Sequence, residues 1–468
     1  MTAILMVAVL AFLGILTETS LNVTFPEMMK DFKVSLDTIQ WTTTGYLLAI
    51  AILMISSSYL NKRFTARAIF LFASGSFLIG SLLCLFSSNF EIMLLGRIIS
   101  SCGAGLATPL MFNLVTELMP REKIGFYMGL AGLVLAMAPS LGPSFGGIIA
   151  YYFNWRVIFS ISSVLAIIVI LIGLRVVGKY HEVSHPSFDW VRYIVISLFM
   201  VDFTLMINHL SSGFDLQFFL YLVFAILSMG LFIHLSKNSQ KTLINLAIFK
   251  DAAFVYAMLA FFLIQFINIG VSFVLPNYVQ IVNGASTLAG GLMLLPGSVI
   301  FSLMTPYFGH LYDEKGAKLP LYLGGSLLLV AIILLALFGM VLNPWIICLI
   351  YSIMACGMRM AFNNTLTVGI ESSPKKLHAD ATAIMQTGQQ FAGSIGTSVL
   401  ATIISFSQST RHGSKAILMA QGCEVAFIFV TFIAILIMLC YWQLFTKVDK
   451  KIEIKKHEIA FFNAKLTI

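Results

Sequence analysis

Glu18, Arg97 and Arg359 are the side chains of this sequence best suited to chemistry, because each places a charge inside a long apolar run. A bare charge at the centre of a bilayer costs at least about 2.5–3.5 kcal/mol, so such groups pair, face water or serve a pathway. Glu18 stands in a run with no further charge until Glu27. A carboxyl that alternates between dry and wet surroundings takes up and returns a proton, the behaviour of a proton carrier. The competing reading is structural: an ion pair, or a hydrogen-bonded acid that stays neutral. Arg97 keeps its charge. Close to Glu18 it favours the carboxylate, and at a distance it leaves the carboxyl free to bind a proton. Arg359 could pair with Glu18, bind an anionic group of a substrate, or reach one membrane face. If all three charges share a cavity, its fixed charge is at best positive, which disfavours dications and suits zwitterions or anions. Asp202 lies in another apolar run, with His209 two turns away as a conceivable partner.

A second constellation bears no reactive group. Pro139-Ser-Leu-Gly142-Pro143-Ser-Phe-Gly146-Gly147 lies within an apolar run and is followed by Asn154-Trp155-Arg156, read as a wet aromatic-basic edge. Prolines and glycines at this density disrupt an ordinary helix. In lipid they are tolerated where a neighbouring helix repairs the backbone and the missing side chains allow close approach. Pro139, Gly142, Pro143, Gly146 and Gly147 are therefore expected to form a bent, tightly packed hinge.

The elements that position these residues are transmembrane helices. The chain is 59% hydrophobic and 10% charged, against roughly 25% charged in a globular domain. Apolar runs of about 20 residues, enough to cross a bilayer, fall near 3–26, 40–60, 68–88, 91–118, 123–151, 156–175, 192–210, 215–235, 252–281, 287–310, 319–341, 344–370, 379–405 and 417–445. The predicted class is thus an all-α integral membrane protein with fourteen transmembrane helices. The first run lacks a basic leader and a small-residue cleavage site, and is read as a retained helix.

Of the 28 Lys and Arg residues, Lys30, Lys33, Arg156, Arg411 and Lys415 fall in one set of loops, and Arg97 and Arg359 within spans. The remainder collect in the alternate loops and the tail, so both termini are placed in the cytoplasm. That distribution also accounts for the net charge of +8; a basic membrane face that touches anionic lipid explains it without a nucleic-acid partner. Short basic turns recur at Asn61–Arg67 and Gly309–Lys318. If each joins the second and third helices of a six-helix unit, the units are 1–177 and 250–446. A 178–249 linker then carries two extra helices, and 447–468 forms a basic cytoplasmic tail. This 6+2+6 plan encloses a cavity between the halves. Polar residues on spans that could line it are Asn22, Tyr46, Asn113, Gln265, Asn268 and Gln280, with Asn277, Asn363, Gln386, Gln389 and Gln390 further along. Each alone commonly serves as interhelical glue; together with the many Phe and Met residues they suit an adaptable apolar pocket with scattered hydrogen bonds.

These residues resemble the fourteen-helix drug:proton antiporter branch of the major facilitator superfamily, over nearly the whole chain. Leu16 to Pro26 is similar to the branch's first helix, where an acid precedes Asn-Val and a Pro; the acid, commonly Asp, is Glu18 here. Trp41 and Tyr46 match its second helix. Leu95-Gly96-Arg97 with Gly103, Gly105 and Pro109 resembles the fourth-helix motif that carries a buried Arg, with Ser100 and Ser101 replacing the usual Gln and small residue. Gly142-Pro143 with Gly146-Gly147 resembles the fifth-helix antiporter motif. Pro276–Gln280, Leu295-Pro296-Gly297 and Gly388-Gln389-Gln390 also fit. The turn at 57–67 departs from the superfamily's Gly/Asp pattern, whereas its second copy keeps Gly309 and Asp313.

The resemblance implies a multi-pass protein of a bacterial cytoplasmic membrane that exports amphipathic drugs or toxic compounds against inward proton flow. Glu18 would carry the proton, Arg97 would take part in coupling, and Asn22, Tyr46, Asn113, Gln265, Asn268, Gln280, Arg359, Asn363 and Gln390 would contact substrate. A monomer in lipid is expected. The alternatives are a transporter of one endogenous metabolite, for which Arg359 would allow an anionic group, or a membrane sensor without transport. The sequence has no Gly-Lys-Ser/Thr phosphate loop, no His-Glu-x-x-His, no nucleophile elbow and no metal-spaced cysteines among its six, so no enzyme, metal or cofactor is expected and the proton gradient is the driving force.

Overall fold

A backbone in lipid must satisfy its hydrogen bonds internally, which leaves helices as the solution for this apolar chain. The structure, a computed structural model, describes all residues except 121–122, 179, 181–182, 184–186, 211–212, 238–242, 244–245, 375–376, 412 and 467–468, and the side chains of 124–126, 379 and 449–466. The first bundle contains α1 (Thr2–Phe32), α2 (Leu36–Ile39), α3 (Trp41–Arg63), α4 (Ala66–Leu85), α5 (Phe90–Leu118), α6 (Ile124–Tyr152) and α7 (Arg156–Val176). The linking pair is α8 (Trp190–His209) and α9 (Leu216–Lys237). The second bundle contains α10 (Ala252–Val282), α11 (Thr287–Leu292), α12 (Leu295–Leu303), α13 (Thr305–Lys315), α14 (Lys318–Leu337), α15 (Pro344–Ser372), α16 (His378–Thr410) and α17 (Lys415–Leu466). Thirteen of the described helices are long and apolar enough to cross a membrane, and fourteen if the bent pair Thr287–Leu303 and Thr305–Lys315 forms one span. The fold is the expected 6+2+6 arrangement, with α8 packed on α9, α16 and α3.

Local sequence explains the ends. Asn89 caps α5 by accepting from Ile92 N at 2.9 Å, and Asn343 caps α15 by accepting from Trp345 N and Ile346 N, each at 3.0 Å. The recurrent basic turns are both tight: Thr65 caps α4 through Ala68 N, and Gly316 turns the chain at φ +75°, a conformation that favours glycine.

Two expectations change. The tenth span is not one helix: Pro296 and Pro306 sit in the first turns of α12 and α13, where a missing N–H is harmless, and the run bends by 44°. By contrast, α6 runs unbroken from Ile124 to Tyr152 through Pro139 and Pro143, so that motif does not end its helix. Trp155 is not a wet edge: it is fully buried, and its Nε1 donates to Asp31 Oδ2 at 2.8 Å, beside the Arg156–Asp31 ion pair at 3.0 Å. The backbone of α17 continues into the tail, whose side chains from 449 onward lie outside the described residues.

Candidate functional site

A cavity of about 520 Å³ lies between the bundles, lined from α1, α3, α5 and α6 on one side and from α10, α12, α13, α15 and α16 on the other. Its lining reaches Phe112, Gly129 and Thr367, which lie toward the ends of their helices on the Lys/Arg-rich face. At the opposite face the bundles meet directly. Asn277 Nδ2 donates to Asn22 O at 3.1 Å, and Gln280 Nε2 to Val23 O at 2.7 Å. Thr44 Oγ1 meets Thr397 Oγ1 at 2.8 Å and Ser398 Oγ at 3.2 Å, while Ser394 Oγ donates to Thr44 O at 3.1 Å. The cavity is therefore closed at the face poor in Lys and Arg. Hydrogen bonds make a seal that can open, because each contributes only about 0.5–1.5 kcal/mol net once water can replace it.

The antiporter-like stretch forms the other part of this seam. A Cβ on Gly142 would lie 1.8 Å from Thr19 Oγ1, and one on Gly146 would lie 2.2 Å from Ser20 O, so α1 and α6 touch backbone to backbone. On its other side, a Cβ on Gly147 would lie 2.6 Å from Thr287 O, and one on Gly291 2.3 Å from Pro143 O. Ser144 Oγ donates to Gly291 O at 3.2 Å, Ser298 Oγ to Ser140 O at 3.1 Å, and the Ser140 and Ser302 hydroxyls meet at 2.6 Å. One helix thus bears on Glu18's helix and on the opposite bundle at once.

Glu18 lines the cavity and is 3% exposed. It is the single carboxylate among the described lining residues. Arg97 is fully buried outside the lining, on α5, which packs against α1. The two form no ion pair within 4.0 Å. Arg97 Nε donates to Thr42 O at 3.1 Å and the guanidinium lies 3.8 Å from the Tyr46 ring centroid, while Nη1 and Nη2 are buried without a hydrogen-bond partner. The cation–π contact offsets part of that deficit. Tyr46 is fixed in turn by donation to Gly14 O at 3.0 Å. Arg359 reaches the cavity from α15 and crosses to α6: Nη2 donates to Ser140 Oγ at 3.0 Å and Ala136 O at 3.3 Å. It does not pair with Glu18.

Gln265, Asn268, Asn363 and Gln390 line the cavity with Arg359, and so does Pro139. Asn22, Tyr46, Asn113 and Gln280 do not. Asn22 accepts from Thr43 Oγ1 at 2.9 Å, and Gln280 is engaged in the seal. Because Arg97 stands outside the cavity, the fixed charges facing it are Glu18 and Arg359, which balance when Glu18 is ionised; the expected surplus of positive charge is absent among the described residues. Asp202 makes no ion pair with His209, which instead meets Gln217 Oε1 and lies 3.8 Å from Asp215. Sequence reasoning missed Tyr351 in the lining and the Ser140–Ser144–Ser298–Ser302 ladder. Serines at i and i+4 on both α6 and α12 were its available signal.

Comparison with known proteins agrees with this geometry. Residues 7–397 match the family model described as Major Facilitator Superfamily. The chain is 31% identical over 439 residues to a lincomycin resistance protein LmrB of Listeria monocytogenes, covering 92% of this chain and 93% of that protein. It is 25% identical to a riboflavin transporter RibZ of Clostridioides difficile, covering 88% and 89%. Among solved structures, a bacterial homologue of the lysosomal transporter Spinster, described as inward-facing and unoccupied, is similar with a TM-score of 0.70 at 14% identity, covering 95% and 98%. A peptide transporter POT in complex with sulfate is similar with a TM-score of 0.66 at 13% identity, covering 93% and 94%. Helix plan, interbundle cavity and sequence match agree: this chain is a multi-pass transporter that belongs to the Major Facilitator Superfamily.

Proposed function

We propose that this chain is a proton-coupled antiporter that exports amphipathic compounds from the cytoplasm of a bacterial cell, with Glu18 as the proton carrier. The observation that carries the reading is the position of Glu18 as the sole carboxylate among the described residues lining the interbundle cavity, with an under-bonded Arg97 buried on the adjoining α5. With the cavity open outward, Glu18 takes a proton and its charge is lost. The bundles rock, Glu18 releases the proton to the cytoplasm, and the carboxylate is stabilised by Arg97, whose free Nη donors can accept it as partner. The α6 seam transmits the change, because Thr19 and Ser20, next to Glu18 on α1, are the residues that Gly142 and Gly146 touch. The names of the lincomycin resistance relatives support drug export.

The test is reconstitution into inside-out vesicles with an imposed pH gradient and a panel of amphipathic dyes. Wild-type uptake that is abolished in Glu18→Gln supports the reading; gradient-independent uptake, or full uptake in Glu18→Gln, sinks it. A second reading, transport of one metabolite, is favoured by the riboflavin transporter among the relatives, and Arg359 on the cavity wall would suit an anionic group on such a substrate. It predicts one saturable substrate in place of a dye panel.

A further inference from the structure

The cavity's two walls differ in chemistry. The wall from the first bundle is built of residues such as Ile15, Met54, Phe112, Leu133 and Leu135. Apart from Glu18, its side-chain polar atoms are the hydroxyls of Thr19 and Thr108. These donate to carbonyls of their own helices, Thr19 Oγ1 to Ile15 O at 3.0 Å and Thr108 Oγ1 to Ala104 O at 3.2 Å. The wall from the second bundle carries every carboxamide of the lining: Gln265, Asn268, Asn363, Gln386, Gln389 and Gln390. Gln265 and Asn268 on α10, and Gln386 with Gln389 and Gln390 on α16, lie one turn apart, which stacks each set on a single helix face. Gln265 and Asn268 bond each other weakly at 3.3 Å. Asn363, Gln386, Gln389 and Gln390 have no side-chain hydrogen bond to the protein among the described residues.

Lining polarity that served only to hold water would have no reason to collect on one wall. A carboxamide offers two donors and an acceptor with no charge, the complement of a hydroxyl, which both donates and accepts. The cavity's charges balance between Glu18 and Arg359, and Arg359 is already engaged with Ser140 and Ala136. A charged head of either sign finds a single counter-charge there, Glu18 or an Arg359 whose Nη2 is turned to Ser140 and Ala136, whereas a polyol finds six carboxamides. We infer that the cavity selects amphiphiles with a neutral, multiply hydroxylated head, as in an alkyl glycoside, the head held by the carboxamides of α15 and α16 and the apolar part laid on α1, α3 and α5. This deepens the transport reading and rests on it only for the direction of movement.

The experiment measures equilibrium binding of radiolabelled nonyl β-glucoside, nonyltrimethylammonium and nonyl sulfate, below their micellar concentrations, to the full chain in nanodiscs prepared without glycosidic detergent, with empty discs subtracted. The glucoside is expected to bind saturably and at least tenfold more tightly than either charged analogue. Gln386→Leu combined with Gln390→Leu removes two head contacts and lowers glucoside affinity by about tenfold or more. Equal affinity for the three heads, or tighter binding of a charged one, overturns the inference in the wild-type protein, whether or not the variant folds. Unchanged glucoside affinity in a variant with wild-type melting also overturns it. Because no pH gradient is present, saturable glucoside binding without gradient-driven movement leaves this inference standing and removes the proton-exporter reading.

Discussion

Adding a single methyl at Gly146 places the whole mechanical argument at risk. Its Cβ would meet three backbone atoms of Ser20, at 2.2, 2.8 and 2.9 Å. Backbone cannot rotate away, so α1 and α6 must separate by about 1 Å, and a dense interior passes such a shift on to its neighbours. Overpacking of this kind costs about 1–3 kcal/mol. Gly142 is a milder case, since the hypothetical Cβ first meets Thr19 Oγ1, the end of a side chain that can turn. Gly129, on the same helix, has nothing within 4 Å of its Cβ position, and alanine is favoured over glycine in a helix by about 1 kcal/mol. Thermal unfolding of the purified variants should therefore rank Gly146→Ala as the most destabilised, Gly142→Ala intermediate, and Gly129→Ala unchanged or raised. Gly146→Ala should also lose gradient-driven uptake, because Ser20 and Glu18 share one turn of α1. A Gly146→Ala protein with native melting and native transport would refute the idea that this contact drives the coupling, and a Gly129→Ala protein that melts lowest would refute the packing argument itself.

Other perturbations probe the remaining parts. Thr44→Val removes the hydroxyl that bridges to Thr397 and Ser398; it should raise outer-face labelling of an engineered seam cysteine roughly fivefold or more, in line with about 1 kcal/mol lost from the closed state. Arg97→Lys keeps the charge but gives up the fork over Tyr46, so uptake should fall at least tenfold while melting changes by less than in Arg97→Ala. Arg156→Ala should shift stability by less than about 1 kcal/mol, because its pair with Asp31 is about a third exposed on both sides; Trp155→Phe, which strips a hydrogen bond from a fully buried ring, should cost more in the same melting assay.

The membrane class and helix plan were legible because hydropathy and helix length are tied by the thickness of the bilayer. Glu18 was legible for the same reason: a lone acid in an apolar run stands out, and the fold places it in the cavity. The spatial partnerships were not. Asn22 and Gln280 look like any other cavity amides in sequence, yet their depth puts them in the seal: Asn22 lies one turn beyond Glu18, and Gln280 about three turns beyond Asn268. Tyr46 reads in sequence as a substrate contact and Arg97 as a coupling residue, whereas the two stack on each other outside the cavity lining. Arg359 had three readings in sequence, and the choice depended on Ser140, more than two hundred residues away. Pro139 and Pro143 mark an unusual helix in sequence, but which helices press against α6 and keep it continuous is a matter of tertiary packing.

The attachment of the linking pair has a consequence for the bilayer around the protein. A cleft between two bundles has two flanks on which lipid can border it. On one of them α8 lies against both α3 and α16, with α9 held outside it by α8 alone among the stronger contacts. That flank is roofed, and a molecule dissolved in the leaflet meets two extra helices before it meets the gap. The flank bordered by α6 and α12 carries no such cover from the linking pair. Access to the cleft from the bilayer is thus unequal on the two flanks, and the linking pair is what makes it so.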